Sequence, residues 1–185
     1  MDLSELVKEA KKGSLSAQKC LFDQMAAPLL MICRRYVKNA EDAEEILLDG
    51  FYKFFKNLSS LTYQGEGALF SWIKKIMVNE CLMFLRKKKV FTMISDFEVE
   101  DIALPGEVFD KLSASEIFNL IVQLPVGYRT VFNLYEIEGM NHKEIARSLG
   151  IAEGTSKSQL SKAKNLLQKL LLEKGITYVR QRSQS

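Results

Sequence analysis

The sequence predicts an all-α protein of two small helical domains joined by an acidic linker. Apolar residues recur at helical spacing through most of the 185 residues. Proline and glycine are scarce, with 3 and 10 residues, and no alternating pattern with a hairpin turn is present. Hydrophobic residues make up 47% of the chain, which is enough to build a core.

The first domain, residues 1–90, is predicted to begin with two helices. The first spans residues 3–12 and ends at Gly13, a residue that readily adopts the left-handed conformation found after helices. The second reaches about Val37. Pro28 is expected to bend or break it, because proline lacks a backbone donor and clashes with the preceding turn.

Two further helices complete this domain. Residues 41–58 begin with acidic side chains, which suit the positive end of the helix dipole, and continue with a stripe rich in phenylalanine. A loop follows at 62–67. Residues 68–86 then carry an apolar face, and the basic run at 86–89 closes this helix at the negative end of its dipole.

The charge changes sharply after this basic run. Residues 1–90 carry a net charge of +4, residues 91–116 of −6 and residues 117–185 of +5. The acidic stretch has no helical period, so residues 91–112 are predicted to form a linker with little fixed structure. The basic blocks on either side of it favour a polyanion as partner.

The second domain, residues 113–175, is predicted to contain four helices, followed by a frayed tail at 176–185. Ser113 and Glu116 have the spacing of a capping box at the start of the first helix. The second helix is expected at about 128–138.

The last two predicted helices, one short and one long, meet at Gly150. Asn141 and Glu144 have capping-box spacing at the start of the short helix. Gly150 can adopt the left-handed conformation that turns the chain sharply. A short helix, a tight turn and a longer helix together predict a helix-turn-helix, whose second helix enters the DNA major groove.

The long helix carries cations and hydroxyl groups away from its apolar face. Such side chains can reach base edges and phosphates in a major groove, and backbone N–H groups at the helix start can bind a phosphate. The alternative is an ordinary solvated face. The candidate DNA-binding residues here are Gly154, Thr155, Lys157, Ser158, Ser161, Lys162 and Asn165.

The helix at 68–86 and its basic end carry a second candidate nucleic-acid site. Aromatic and cationic side chains together can stack on exposed bases and follow a backbone. A core position is the alternative for the tryptophan, and a plain surface position is the alternative for the asparagine. The candidates are Trp72, Lys75, Asn79, Arg86 and Lys87.

The acidic start of the helix at 41–58 has a different implication. Clustered carboxylates repel DNA and are better suited to a basic protein partner. The alternative is a first turn of acids that only complements the helix dipole.

Catalysis, cofactors and metals are not expected. No phosphate-binding GxxxxGK[ST] motif is present, and the single histidine, His142, has no visible arrangement with a Ser or Cys nucleophile. Cys20, Cys33 and Cys81 form no CxxC or Cys/His cluster, so they are interpreted as small buried hydrophobes. We therefore expect neither an enzyme nor a small-molecule substrate.

A cytoplasmic location without membrane insertion is expected. No apolar run is long enough to span a bilayer, and the acidic N-terminal stretch lacks the apolar core of a secretory signal.

The chain resembles a compact bacterial sigma factor of the sigma-70 superfamily, of the extracytoplasmic-function (ECF) type. Three segments carry this resemblance, in the order in which the family has them. Residues 27–58 are similar to its core-polymerase-binding segment, residues 70–89 to its −10-element segment, and residues 124–167 to its −35-binding domain.

The resemblance implies a role for each segment. Core RNA polymerase and promoter DNA are the implied partners, and the presence of an anti-sigma factor is left open. Asn79 aligns with an asparagine that reads the −10 non-template strand, and the linker is implied to thread toward the polymerase channels. The implied polymerase contacts are Asp42, Glu45 and Asp49; the implied −35 contacts are Lys157, Ser158, Ser161 and Lys162.

Three residues depart from the family pattern. Leu48 stands where a glutamine is frequent, and Gly50 stands where a polar or β-branched residue is frequent. Ser156 occupies a position where valine is common, at the contact with the short helix.

Two other readings remain open at this point. A stand-alone helix-turn-helix transcriptional regulator accounts for the second domain without polymerase. A helical adaptor that binds only proteins accounts for the acidic helix. Binding to core polymerase distinguishes the first alternative from a sigma factor, and the effect of reversing charge at Lys157 and Lys162 distinguishes the second.

Overall fold

A computed structural model of the protein describes residues 2–89, 91 and 112–173. Within these residues the chain forms eight α-helices and no β-strand, which confirms the predicted all-α fold. It divides into two compact units, Met1–Lys89 and Val90–Ser185. The predicted tail at 176–185, and all of the predicted linker except its end residues 91 and 112, lie outside the described residues.

The first unit contains four α-helices. Their boundaries are Leu3–Lys11 (α1), Leu15–Tyr36 (α2), Ala40–Asn57 (α3) and Glu66–Lys87 (α4), with a 3₁₀ turn at Leu58–Ser60.

Short polar side chains begin the first three of these helices. Asp2, Ser14 and Asn39 each accept a hydrogen bond from the backbone N–H three residues later, at 2.8, 3.4 and 2.8 Å. These bonds satisfy N–H groups that have no partner inside the helix.

Helix α2 continues through Pro28, so of the two predicted outcomes, a bend or a break, the break is wrong. Met25 and Leu29, on either side of it, are buried. Apolar burial over a 22-residue helix offsets the single backbone hydrogen bond that proline removes.

Helices α2, α3 and α4 enclose the core of the first unit. Its largest fully buried side chains include Tyr36, Phe54 and Met77. Gly50 of α3 is buried directly against Met77 of α4: a Cβ atom at Gly50 would lie 2.3 Å from the Met77 sulfur. The absence of a side chain at this position therefore sets the close approach of the two helices.

The cysteines differ in their environments. Cys33 and Cys81 are buried in this core, as predicted. The prediction for Cys20 is wrong, because its side chain is exposed. The buried stripe of α2 in this region runs through Ala17 and Leu21, and a residue one position before Leu21 falls on another face.

The second unit also contains four α-helices in its described part. Their boundaries are Ala114–Ile121 (α5), Val126–Phe132 (α6), His142–Leu149 (α7) and Glu153–Glu173 (α8), with a π-helical turn at Asn133–Ile137 directly after α6.

Both predicted capping boxes are present in this unit. The Ser113 N–H donates to the Glu116 carboxylate at 2.9 Å, and the Asn141 N–H donates to the Glu144 carboxylate at 2.8 Å. The core holds Leu120, Ile145, Leu160 and Leu167, and α8 packs on α6 and α7.

Arg129 closes the turn between α5 and α6. Its guanidinium is buried and donates to the Val122 and Leu124 carbonyl oxygens at 3.2 and 3.0 Å. These carbonyls follow the end of α5 and would otherwise lack a helical partner. Burial lowers the pKa of Arg129 from its ordinary value, and the side chain remains a cation at neutral pH.

Candidate nucleic-acid and protein interfaces

The predicted helix-turn-helix is formed by α7, Gly150 and α8. Gly150 has φ +69° and ψ +37°, the left-handed conformation that the sequence predicted. The N–H groups of Gly150 and Ile151 both donate to the Ala146 carbonyl, at 2.9 and 3.1 Å. These two hydrogen bonds to one carbonyl oxygen end α7. Helix α8 begins at Glu153.

A hydrogen bond joins the starts of the two helices. His142 Nδ1 lies 2.9 Å from Ser156 Oγ, and Ser156 is fully buried. The histidine ring also stacks on Tyr135, with the ring centroids 4.6 Å apart and the planes 23° apart. This partner of His142 could not be predicted from the sequence, because the bond spans 14 residues and depends on how the helices cross.

Burial lowers the pKa of His142, and the nearby Lys157 lowers it further. The ring is therefore neutral at neutral pH. In one tautomer of the neutral ring, Nδ1 accepts a hydrogen bond from the serine hydroxyl. In the other tautomer, the Nδ1–H group donates a hydrogen bond to the serine oxygen, so the bond forms in either case.

A second link connects α8 to the turn before α7. Lys164 Nζ lies 2.9 Å from a carboxylate oxygen of Glu136 and 5.9 Å from the centre of the Tyr135 ring. Tyr135 and Glu136 both belong to the π-helical turn. The same five-residue turn therefore contacts the start of α7 and the middle of α8.

The predicted DNA-binding stripe of α8 is only partly on the surface. Gly154 and Lys157 are exposed, while Thr155, Ser158 and Asn165 are half-buried. Lys157 pairs with Glu153 at 2.9 Å, and this hydrogen bond lowers the pKa of the Glu153 carboxyl.

Ser161 and Lys162 are each only 8% exposed, which contradicts the outward position that helical spacing predicted. Each takes part in a polar or electrostatic interaction within the protein. In the chain without DNA these two groups are therefore engaged internally. Spacing along one helix could not reveal this, because it does not say what packs against that face.

Gln159 was missed by the sequence analysis. Its side chain is fully buried, and neither the amide nitrogen nor the amide oxygen has a hydrogen-bond partner among the residues that the structure describes. Burial of a polar group without a partner costs free energy, so this residue lowers the stability of the second unit.

Gln159→Met is expected to raise the free energy of unfolding of the second unit by about 1–3 kcal/mol, because an unbranched apolar side chain replaces two unsatisfied polar atoms. Thermal unfolding followed by circular dichroism measures the shift. Gln18→Met is the matched control, since the Gln18 amide donates to the Ala10 carbonyl at 3.3 Å and should gain nothing from the same change. A lower or unchanged midpoint for Gln159→Met contradicts the prediction.

Four of the five candidate −10 residues lie on the surface of α4 and its end. Lys75, Asn79, Arg86 and Lys87 are exposed. Trp72 is half-buried, and its ring centroid lies 5.2 Å from that of Phe54. The tryptophan therefore combines a core contact with a partly accessible surface.

Two ion pairs fix α4 against α3. Lys53 Nζ donates to both carboxylate oxygens of Glu80 at 2.7 Å, and the Glu80 side chain is 12% exposed. Lys88 Nζ lies 2.9 Å from the Asp42 carboxylate. The first pair is adjacent in sequence to Asn79, so it restrains the part of α4 that carries this candidate.

The outer face of α3 carries the three predicted polymerase contacts. Glu45 and Asp49 are exposed, and Asp42 is half-buried in its pair with Lys88. Leu48 and Tyr52, which the sequence analysis did not assign to a site, are 59% and 67% exposed on the same helix. Large apolar groups beside carboxylates are typical of a protein-binding surface.

No cluster of three or more possible metal ligands occurs in the described parts of the two units. In those same parts, none of the helices combines the length and the apolar character that crossing a membrane requires.

Comparison with known proteins gives two matches to family models. The model for Sigma-70 region 2 matches residues 21–90, and the model for Sigma-70, region 4 matches residues 114–167. Both lie in the order that the sequence analysis predicted.

The similarity to known proteins covers nearly the whole chain. The ECF RNA polymerase sigma factor SigM of Mycobacterium tuberculosis is 29% identical over 168 residues, which cover 91% of this chain and 84% of SigM. The ECF RNA polymerase sigma factor SigW of Bacillus subtilis is 28% identical over 185 residues, covering 92% and 97%.

Among solved structures, the sigma factor RpoE in complex with the anti-sigma factor NepR from Bartonella quintana is 23% identical, with a TM-score of 0.48, over 83% of this chain and 96% of that chain. CnrH in complex with the cytosolic domain of CnrY is 18% identical, with a TM-score of 0.47, over 91% and 96%.

Proposed function

The chain belongs to the sigma-70 superfamily, as a bacterial RNA polymerase sigma factor of the ECF type, and from this premise we propose which of its surfaces serve each step of promoter recognition. As a sigma factor it directs promoter recognition together with RNA polymerase. The observation that carries this conclusion is the match to regions 2 and 4, in order, over residues 21–90 and 114–167.

The outer face of α3 is the proposed docking surface for core polymerase. Glu45 and Asp49 supply exposed negative charge, and Asp42 lies on the same helix. Leu48 and Tyr52 add apolar area between and beyond these carboxylates. Charge complementarity would orient the encounter with a basic polymerase surface. Leu48 and Tyr52 would become buried in the complex and would supply much of the affinity.

Helix α4 is the proposed reader of the −10 element. The exposed amide of Asn79 can hydrogen-bond to a base edge, and the partly accessible ring of Trp72 can stack on a base. The cations that would follow the backbone are Lys75, Arg86 and Lys87. Capture of unpaired bases favours melted DNA, so binding energy at this surface assists strand opening.

Helix α8 is the proposed reader of the −35 element. Lys157 is exposed at its start, next to the backbone N–H groups of the first turn. Ser161 and Lys162 would have to exchange their present interactions for DNA contacts. The other contacts proposed for this helix are Gly154, Thr155, Ser158 and Asn165.

The proposed domains are residues 1–90 for polymerase and −10 binding and residues 113–175 for −35 binding, with residues 91–112 as a linker between them and 176–185 as a tail. Each domain alone should bind promoter DNA weakly. Once one is bound on polymerase, the second contact becomes intramolecular, and its effective concentration rises.

We further propose that this initiation factor acts in the cytoplasm and catalyses no reaction itself. Sigma factors are regulatory subunits, and bond formation belongs to the polymerase. An anti-sigma partner, if the cell makes one, would have to cover the α3 face or the DNA-reading helices.

Transcription in vitro tests the proposal. Core polymerase with this chain, supplied with a genomic DNA library, is expected to start transcription at sites that share two spaced sequence motifs. Core polymerase alone is the control. No initiation above that level, together with failure to bind core polymerase in a pull-down, would contradict a sigma function. A stand-alone regulator would instead bind duplex DNA in the absence of polymerase.

A further inference from the structure

A buried polar contact attaches the start of α8 to the start of α7. Ser156 is the fourth residue of α8, and its backbone N–H donates to the Ala152 carbonyl at 3.1 Å. Its hydroxyl, 2.9 Å from His142 Nδ1, is the polar group that crosses to the neighbouring helix. His142 is the first residue of α7, so the contact joins the two helix starts across the turn.

The histidine is itself held in place from its other side. Its ring lies almost parallel to that of Tyr135, 23° between planes at 4.6 Å, in the π-helical turn that follows α6. The next residue of that turn, Glu136, pairs with Lys164 at 2.9 Å. Lys164 lies eight residues after Ser156, which is about 12 Å farther along the helix axis.

Apolar packing on α6 and α7 holds α8 in the core, and the two polar attachments add directional contacts at its start and near its middle. The attachment at Ser156 is immediately followed by Lys157, the exposed candidate for DNA contact. Hydrogen bonds to base edges require donor–acceptor distances of about 2.7–3.2 Å. A displacement of about 1 Å at the start of α8 is therefore enough to lose them.

We propose that His142 and Ser156 are positioning residues for promoter readout: their hydrogen bond, with Tyr135 stacked on the histidine ring, sets where the start of α8 lies and so determines how strictly the −35 sequence is read. The inference rests on the proposed role of α8. Neither side chain needs to contact DNA. Both act through Lys157 and the other reading groups.

Promoter competition tests this inference with holoenzyme assembled from core polymerase and the full chain. Two promoters share one reaction, one with the preferred −35 element and one with a single changed base pair in it, and the ratio of their transcripts is measured. Because both compete for the same folded holoenzyme, the ratio does not depend on how much of a variant is folded.

His142→Phe keeps a ring against Tyr135 but removes Nδ1, so the buried Ser156 hydroxyl loses its partner. Ser156→Ala removes the hydroxyl itself. Each is expected to lower the transcript ratio by about three- to tenfold, the range that loss of one hydrogen bond implies. His142→Asn, which keeps a hydrogen-bonding atom close to the position of Nδ1 but loses the ring, should fall between these variants and the wild type.

Ser148→Ala is the matched control, because Ser148 lies on α7, half-buried, away from the proposed contact. It should leave the ratio unchanged. A wild-type ratio in both His142→Phe and Ser156→Ala would overturn the positioning role. If holoenzyme with His142→Phe initiates from neither promoter, the transcript ratio of the near-isosteric variant Ser156→Ala decides whether the positioning role holds. Failure of the wild-type chain to initiate at all would instead count against the proposed function.

Discussion

Gly50→Val is expected to destabilise the first unit by about 2–3 kcal/mol, the cost typical of forcing extra carbon atoms into a packed core. A Cβ atom at Gly50 would lie 2.3 Å from the sulfur of Met77 and 2.8 Å from its terminal methyl group. Met77 is fully buried, so its side chain has little room to move. Urea unfolding followed by circular dichroism measures the loss.

Gly67→Val is the matched control for this substitution. Gly67 is also helical, near the start of α4, but no atom lies within 4 Å of its added Cβ. The same change there is expected to alter stability by less than about 0.5 kcal/mol, since glycine and valine differ only modestly in helix propensity.

A compensating substitution identifies the physical cause. Met77→Ala removes the atoms that a side chain at Gly50 would meet, at the cost of a cavity. The double variant Gly50→Val, Met77→Ala should therefore be more stable than the sum of the two single changes predicts, by at least about 1 kcal/mol. Additive losses would show that the valine is not limited by Met77.

Reversing two charges on α8 is expected to have the largest effect on function. Lys157→Glu with Lys162→Glu should lower initiation at promoters that need a −35 element by about 100-fold, because each lost DNA contact is worth about 1–3 kcal/mol. The loss should be smaller at promoters that do not depend on that element. Transcription in vitro at several salt concentrations measures both, since electrostatic contributions to DNA binding depend on salt.

The single variants separate a DNA effect from a folding effect. Lys157 is exposed and pairs only with the exposed Glu153 among the described residues, so Lys157→Glu should reduce initiation and lower the free energy of unfolding by less than about 1 kcal/mol. Lys162 is buried, so its reversal should lower stability by more. Lys169→Glu changes the charge of another exposed lysine of α8 outside the proposed reading surface, and should reduce initiation less than about threefold. If the double variant chooses promoters as the wild type does, α8 does not read the −35 element. That outcome would favour a chain that binds only proteins.

The features that were predicted best from the sequence depend on residues close together along the chain. The capping boxes at Ser113 and Asn141 involve residues three apart, and the turn at Gly150 depends on the conformational freedom of a single glycine. Such features form wherever the local chain is helical, so a pattern of a few residues is sufficient to predict them.

Features that depend on distant residues could not be predicted in the same way. The bond of His142 to Ser156 spans 14 residues, and the pair of Lys88 with Asp42 spans 46. The burial of Ser161 and Lys162 likewise depends on what packs against α8 and not on their spacing within it. The assignment of these residues to DNA came from spacing and family resemblance, and it stays a prediction.

The bidentate pair between Lys53 and Glu80 has a mechanical consequence. Together with the contact of Phe54 and Trp72, it joins the last turns of α3 to two points of α4 that lie eight residues apart, so a shift of α4 relative to α3 would have to break both contacts. On the proposed assignment, α3 binds the polymerase and α4 binds the separated strand, so this joint would hold the captured bases at a set position relative to the enzyme.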